Sequence, residues 1–228
     1  MAVHDGHRER LRGRFLEHGL DNFNELNALE LLLFYAIPRK DTNPIAHALL
    51  DRFGSLHGVF DAGIRELTEV EGVGESAAAL IKLIPQIVRK SYISRCDSNP
   101  VITNSKEAAE YLVPRFLYEK DEFILLLCLD SRKRLISCTE IGRGVVNSVD
   151  INVRRIAEIA LKSRASYIMI SHNHPDSTVL PSREDDYVTH QVYNTMQSIG
   201  IPLLDHIIVS GEEYSSYFDT GMLGMYRR

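Results

Sequence analysis

The stretch 171–186, SHNHPDSTVLPSREDD, lies where an apolar segment ends and an amphipathic one begins. The residues before it, SYIMIS, have the β-branched and apolar character of a buried strand. A proline ends that strand, and Ser182 is a typical N-cap for the helix that should follow. Side chains two residues apart on a strand project to the same face, so His172 and His174 should point together if the extended conformation continues that far.

This pattern has two interpretations. Two imidazoles from a strand end and the carboxylate of Asp185 from a helix start can supply three zinc ligands, with the fourth position open for water. Alternatively, Ser182 and Asp185 form a capping box, and the two histidines are ordinary loop residues. The residues alone leave both interpretations open.

The segments around this stretch predict an α/β sandwich. Two β-rich runs separated by a short polar turn indicate a hairpin, and helices and strands then alternate. The predicted order β-β-α-β-α-β places helices on a sheet, with the elements at 123–130, 134–142, 151–164, 166–173, 182–200 and 203–210.

The first ninety or so residues have helical periodicity instead. An apolar helix ends near Pro38, a second helix is bounded by Thr42 or Asn43 and by Gly54, and two further helices are joined by a glycine-containing turn. The polar stretch 94–103 has no helical periodicity and is interpreted as a linker. The sequence therefore predicts an all-helical domain at 1–95 and an α/β domain at 100–228.

Composition indicates a soluble globular protein with a formal net charge of -5. Cys96, Cys128 and Cys138 form no C-x-x-C pair, which argues against a disulfide framework and for a reducing compartment. The first fifteen residues are charged, unlike a signal peptide, and no apolar run reaches the roughly 18 residues of a membrane span. We therefore expect a cytoplasmic protein without a membrane partner.

The stretch HNHPDSTVLPSREDD resembles the signature H-x-H-P-x6-S-x-x-D of the JAMM metallohydrolases, which have MPN/JAB domains. The form HNHP, with TEIGRG upstream and LLDHIIVS downstream, is similar to the RadC family, and the amino-terminal half resembles the helical RadC domain with its helix-hairpin-helix. The resemblance implies a JAB/MPN-like α/β sheet-and-helix domain with cytidine-deaminase-like layering, preceded by a small all-α domain.

The resemblance also implies residue roles. His172, His174 and Asp185 would bind Zn²⁺ as metal ligands, and Ser182 would stabilise the oxyanion. A glutamate at the start of the first strand would be the general base, for which Glu122 is the best match. Three other carboxylates lie nearby as alternatives: Glu119, Asp121 and Glu140.

The implied reaction is hydrolysis of an amide or isopeptide bond in a protein or peptide; neither the substrate nor the oligomeric state follows from the sequence. Two segments depart from the usual family pattern, namely 176–178 in place of a Ser-Gly turn and 153–155 in place of Pro-Arg-Glu. Neither departure removes a ligand, but both are expected to alter the substrate groove, and Asp176 adds a carboxylate near the metal.

The turn Gly72-Val73-Gly74 suggests a different function. Backbone N–H groups at such a turn can bind DNA phosphates, with Lys82, Arg89 and Lys90 on the following helix. Acidic side chains outnumber basic ones in residues 1–100, however, so we expect only weak, sequence-independent DNA binding. The alternatives to a hydrolase are therefore a DNA-repair accessory protein and a helical module for protein contacts.

Overall fold

The computed structural model describes residues 3–95, 99–144, 152–175 and 177–226. The chain divides into two compact units, Met1–Val88 and Arg89–Arg228. The linker predicted at 94–103 includes residues 96–98, which lie outside the described residues and include Cys96. The domain boundary therefore stays a prediction. Among the described residues, no helix is both long and apolar enough to cross a membrane.

The first unit is helical, as the periodicity indicates. Most of its buried apolar side chains form one cluster that includes Leu29, Leu49 and Ile81. A second, smaller cluster includes Leu11 of the first helix. The helices are α1 Val3–His18, α2 Glu25–Ala36, α3 Asn43–Phe53, α4 Leu56–Asp61, α5 Ile64–Thr68 and the start of α6 Glu75–Arg95.

The turn between α5 and α6 needs glycine at its first position. Gly72 has φ +90°, and a Cβ atom there would lie 2.8 Å from the Ile45 Cδ1 atom. Val73 is buried in the helical core, whereas Gly74 is exposed. The turn is therefore constrained by packing on one side and open to solvent on the other.

The second unit contains a mixed five-stranded sheet with strand order β2-β1-β3-β4-β5. The β3–β4 pair is parallel, and the other neighbouring strands are antiparallel. The elements are α7 Ser105–Phe116, β1 Phe123–Leu129, β2 Leu135–Arg143, α8 Val153–Lys162, β3 Tyr167–Asn173, α9 Arg183–Ser198, β4 Leu203–Ser210, β5 Glu213–Ser216 and α10 Met222–Met225.

Both faces of the sheet are covered, which explains why β1 is apolar at every position. On one face, Leu126 and Ile170 pack against α8 and α9, in a cluster that includes Ile156 and Val192. On the other face, the strands pack against α7 in a separate cluster. The parallel β3–β4 pair is connected through α9, so the carboxyl end of β3 and the start of α9 come together.

The α/β fold class and the preceding helical region are confirmed. The predicted hairpin is the β1–β2 pair, and the predicted alternation of helices and strands follows it. Five of the described elements were not identified from the sequence: α1, α4, α7, β5 and α10. The first of them contains the charged run 7–15, whose polar composition obscured its helical conformation.

Candidate metal centre

The two motif histidines lie at the carboxyl end of β3 and point to the same side. His172 is the penultimate residue of the strand, and its side chain is 2% exposed. The backbone N–H of His174 donates to the carbonyl of Val209 over 2.8 Å, so the chain stays beside β4 for one residue past the strand. The two Nε2 atoms lie 2.9 Å apart, as the spacing of the histidines predicts.

Asp185 completes the cluster from the first turn of α9. Its Oδ1 atom lies 3.0 Å from His172 Nε2, and its Oδ2 atom lies 3.4 Å from His174 Nε2. Potential ligand atoms of all three residues fall within 4.8 Å of one another. The structure thus brings together the three side chains that the motif singled out as ligands.

The capping box is also present, so the two interpretations of the motif are compatible. Asp185 Oδ2 accepts hydrogen bonds from the Ser182 backbone N–H at 2.8 Å and from its hydroxyl at 2.7 Å. The Asp185 N–H in turn donates to Ser182 Oγ at 3.1 Å. The cap occupies Oδ2 and leaves Oδ1 directed at His172. Because the Ser182 hydroxyl hydrogen points at Asp185, Ser182 here orients the carboxylate.

The side chains carry the protonation pattern that a cation site needs. His174 Nδ1 lies 2.7 Å from the carbonyl oxygen of Thr178, which can only accept, so Nδ1 carries the hydrogen and Nε2 has the lone pair. When the ring is protonated, Nε2–H can donate to Asp185, and this hydrogen bond raises the pKa of His174, with a further contribution from the charge of Glu122. Burial raises the pKa of Asp185, but the hydrogen bonds that protonated His172 and His174 would donate through Nε2, together with the one from Ser182, outweigh burial and hold the pKa of the carboxyl well below its usual range.

Two further residues support the cluster from behind. His206 of β4 lies 2.8 Å from His172 Nδ1 through its Nε2 atom and 2.6 Å from Thr189 Oγ1 through its Nδ1 atom. Burial lowers the pKa of His206 well below its ordinary value. Sequence reasoning did not assign a role to either residue; a histidine within the apolar strand LLDHIIVS is the signal that could have indicated one.

Glu122 lies directly before β1, and its side chain is half-buried. Its charge is close enough to His174 to raise the pKa of that histidine. Two of the alternative carboxylates are held by arginines: Glu119 pairs with Arg143 at 2.8 Å, and Glu140 accepts two hydrogen bonds from the same arginine at 2.9 and 2.7 Å. These ion pairs engage two of the alternatives, whereas the charge of Glu122 acts on His174, so Glu122 stays the preferred candidate for the general base.

Asn173, the residue between the two histidines, holds the backbone on both sides of Glu122. Its Oδ1 atom accepts from the Phe123 N–H at 2.9 Å, and its Nδ2 atom donates to the Asp121 carbonyl at 3.1 Å. Asn173 is 3% exposed. The sequence H-N-H therefore places two side chains in the cluster and a third on the segment that carries Glu122.

The segments that depart from the family pattern lie on different elements. Val153–Arg155 begin α8, where Arg155 Nη1 donates to the carbonyl of Ile141 at 3.3 Å. Ser177 and Thr178 belong to the loop between β3 and α9, and Thr178 contacts His174. Asp176 lies outside the described residues, so the expectation of an extra carboxylate near the metal stays a prediction.

Two of the basic residues on the helix that follows the glycine turn make contacts within the protein. Lys82 donates to the carbonyls of Phe60 and Asp61 at the end of α4. Arg89 pairs with Glu119 and donates to the Arg115 carbonyl at 2.7 Å. These contacts reduce the positive charge that is available to a DNA phosphate.

Comparison with known proteins places this architecture in one family. Residues 102–222 match the family model described as a RadC-like JAB domain. The chain is 33% identical over 225 residues to a UPF0758 protein of Fusobacterium nucleatum, covering 96% of this chain and 97% of the relative. It is also 33% identical over 213 residues to a UPF0758 protein of Rhodobacter capsulatus, covering 93% of this chain and 100% of the relative. The matched region contains all three residues of the cluster, and the relatives align over nearly their full length. The chain therefore belongs to the RadC family.

Proposed function

We propose that this protein is a zinc-dependent hydrolase of the JAMM type that cleaves an amide or isopeptide bond in a protein or peptide. The observation that carries the proposal is the close approach of His172 Nε2, His174 Nε2 and the Asp185 carboxylate to one another. Each imidazole ring is held in place by a hydrogen bond at its Nδ1 atom, with His206 Nε2 for His172 and with the Thr178 carbonyl for His174.

The donor set suits zinc. Imidazole nitrogen and carboxylate oxygen are zinc ligands, and three protein ligands leave a fourth position for water or substrate. Ligand atoms about 2.0–2.1 Å from a tetrahedral zinc lie roughly 3.3 Å from one another. The separations from His172 Nε2 to His174 Nε2 and to Asp185 Oδ1, 2.9 and 3.0 Å, lie close to that value. The other carboxylate oxygen, Asp185 Oδ2, lies 3.4 Å from His174 Nε2.

The charges also fit a cation. His172 Nε2 lies 2.9 Å from His174 Nε2 and 3.0 Å from Asp185 Oδ1. Lone pairs and a carboxylate at such distances repel one another unless a proton or a metal ion lies between them. When zinc is bound in such a site, it lowers the pKa of a coordinated water to about 7 and so provides hydroxide at neutral pH.

The protein's own groups would then handle the protons. Glu122 would accept a proton from the attacking water and pass it to the leaving amine nitrogen, a role supported by the effect of its charge on His174. Asn173 holds the segment on both sides of this glutamate. Ser182 orients Asp185 in the present arrangement, and an oxyanion contact would need its hydroxyl hydrogen to turn away from that carboxylate.

The experiment is elemental analysis of the purified protein. We expect about one zinc per chain for the wild type and loss of most of that metal in His174→Ala and Asp185→Asn. His47→Ala, an exposed histidine on α3, is the matched control and should keep its zinc. Full retention of zinc in His174→Ala would contradict the assignment.

A further inference from the structure

A chain of hydrogen bonds runs behind the metal cluster and ends on a backbone carbonyl. The Thr189 hydroxyl donates to the carbonyl oxygen of Asp185 over 2.5 Å. The same hydroxyl oxygen lies 2.6 Å from His206 Nδ1, and His206 Nε2 lies 2.8 Å from His172 Nδ1. Each of these contacts joins residues of different elements or successive turns of α9.

The direction of every bond follows from the carbonyl. A carbonyl oxygen only accepts, so the single hydroxyl hydrogen of Thr189 is committed to it. The Thr189 oxygen must then accept from His206 Nδ1–H. In a neutral imidazole the other nitrogen has the lone pair, so His206 Nε2 accepts from His172 Nδ1–H. His172 Nε2 is left as a lone pair, and it faces Asp185 and His174.

We propose that His206 and Thr189 are positioning residues that hold His172 in the one neutral tautomer able to bind a metal through Nε2. This inference rests on the proposed metal site, although the tautomer itself exists without metal. It assigns a role to two side chains outside the three candidate ligands.

Packing keeps the chain of hydrogen bonds in one arrangement. Thr189 and His206 are 0% and 2% exposed, so water does not compete for their polar atoms. The His206 ring stacks on Tyr217 with centroids 4.8 Å apart and an angle of 15° between planes. The Tyr217 hydroxyl is itself fixed by a hydrogen bond to Asp186 at 2.9 Å. A ring held in this way cannot turn to exchange its two nitrogens.

The two candidate ligands are therefore oriented by different means. His174 donates to a backbone carbonyl in an exposed loop segment, at Thr178. His172 donates to a side chain that can change its own tautomer. Removal of the Thr189 hydroxyl would free His206 to carry its hydrogen on Nε2, and that hydrogen would be donated to His172 Nδ1. The hydrogen of His172 would then move to Nε2 and compete with the metal.

The first test is the tautomer in metal-free protein, measured by long-range proton–nitrogen correlation spectra of the imidazole rings at about pH 8, above the ordinary pKa of histidine. The inference predicts the Nδ1–H form for both His172 and His206. A wild-type spectrum with His172 in the Nε2–H form would overturn it, and this measurement does not depend on any variant folding.

The second test compares Thr189→Val with Thr189→Ser. The valine variant keeps the shape but removes the hydroxyl, and it should shift His172 toward the Nε2–H form and weaken zinc affinity about 10- to 100-fold. The serine variant keeps the hydroxyl and should restore both. Thr195→Val, an exposed threonine on the same helix, should change neither. Wild-type zinc affinity in Thr189→Val would overturn the inference.

The two proposals fail in different ways. A wild-type protein that binds no zinc but shows the Nδ1–H tautomers would contradict the metal site and leave the hydrogen-bond direction intact. Equal zinc affinity in Thr189→Val and Thr189→Ser would leave the metal site supported and would refute the positioning role of Thr189 and His206.

Discussion

Replacement of Asn173 by alanine is expected to loosen the segment that carries Glu122 while the metal cluster stays intact. The asparagine side chain makes two hydrogen bonds across β1 and β3, to the Phe123 N–H and the Asp121 carbonyl. Neither bond involves a candidate ligand. The side chains of His172 and His174 are held by other partners, so alanine at 173 should leave their positions unchanged.

The magnitude follows from what each partner loses. The Phe123 N–H is buried and would have no acceptor, which costs about 1–3 kcal/mol. Asp121 is exposed, so its carbonyl can bind water and only the net value of about 0.5–1.5 kcal/mol is lost. The free energy of local opening at Phe123 should therefore fall by about 1.5–4.5 kcal/mol, which corresponds to an increase in amide exchange of about 10- to 2000-fold.

The assay is native-state hydrogen exchange at the Phe123 amide, followed by zinc analysis and hydrolysis of a peptide or isopeptide substrate. Zinc content should stay at the wild-type level. The rate of hydrolysis should fall by up to about 100-fold relative to the wild type, because a glutamate displaced by about 1 Å loses its alignment with the substrate. Asn194→Ala, an exposed asparagine on α9, is the control and should change none of these. Unchanged exchange at Phe123 in Asn173→Ala would refute the reasoning.

Three further predictions concern other residues. Glu122→Gln should keep zinc and reduce hydrolysis by roughly 100-fold or more, whereas Glu140→Gln, which breaks an ion pair, should keep most activity; the reverse pattern would identify Glu140 as the base. Any DNA binding by the glycine turn should be weak and independent of sequence, with a slope of log affinity against log salt of about -2 or shallower, and Gly74→Glu should abolish it; tight binding at physiological salt would contradict this. Burial raises the pKa of Asp205 to about 6 despite its three hydrogen bonds, so the folded state holds this proton more tightly than the unfolded state. Its ionisation should then lower stability by up to about 3 kcal/mol as pH rises from about 4 to about 6, and urea unfolding of Asp205→Asn should lack this loss.

The fold was predictable where local signals and packing agree. The apolar run 123–129 is buried on both faces of the sheet, and the amphipathic segment 183–198 covers it, so hydrophobic pattern alone identified both elements. The segment α7 was missed because Pro114 and a polar first turn weaken its pattern, yet tertiary packing of Leu112 and Phe116 stabilises it. The four-residue strand β5 is too short for a periodic signal and exists because β4 offers it a partner.

The candidate site could be predicted only in part from its residues: the ligand residues lie on two adjacent elements and within fourteen positions of one another, but this spacing fits a capping box as well, and the resemblance to the JAMM signature was needed to choose. The supporting residues His206 and Thr189 could not be inferred, because the β3–β4 pairing and the pitch of α9 bring them behind His172 only in three dimensions. The same holds for Asn173, whose partners lie some fifty residues earlier.

The capping box at Ser182 gives the clearest instance of a local signal with two consequences. A cap was the ordinary explanation for Asp185, and it competed with the metal interpretation as long as only the sequence was considered. In the structure, the cap fixes Oδ2 by two donors and so determines where Oδ1 points. The positive end of the α9 dipole also favours the ionised carboxylate that a metal requires. The helix start therefore prepares the ligand: a Ser182→Ala change, which removes one of the two donors, should weaken zinc binding even though Ser182 is not itself one of the three ligands.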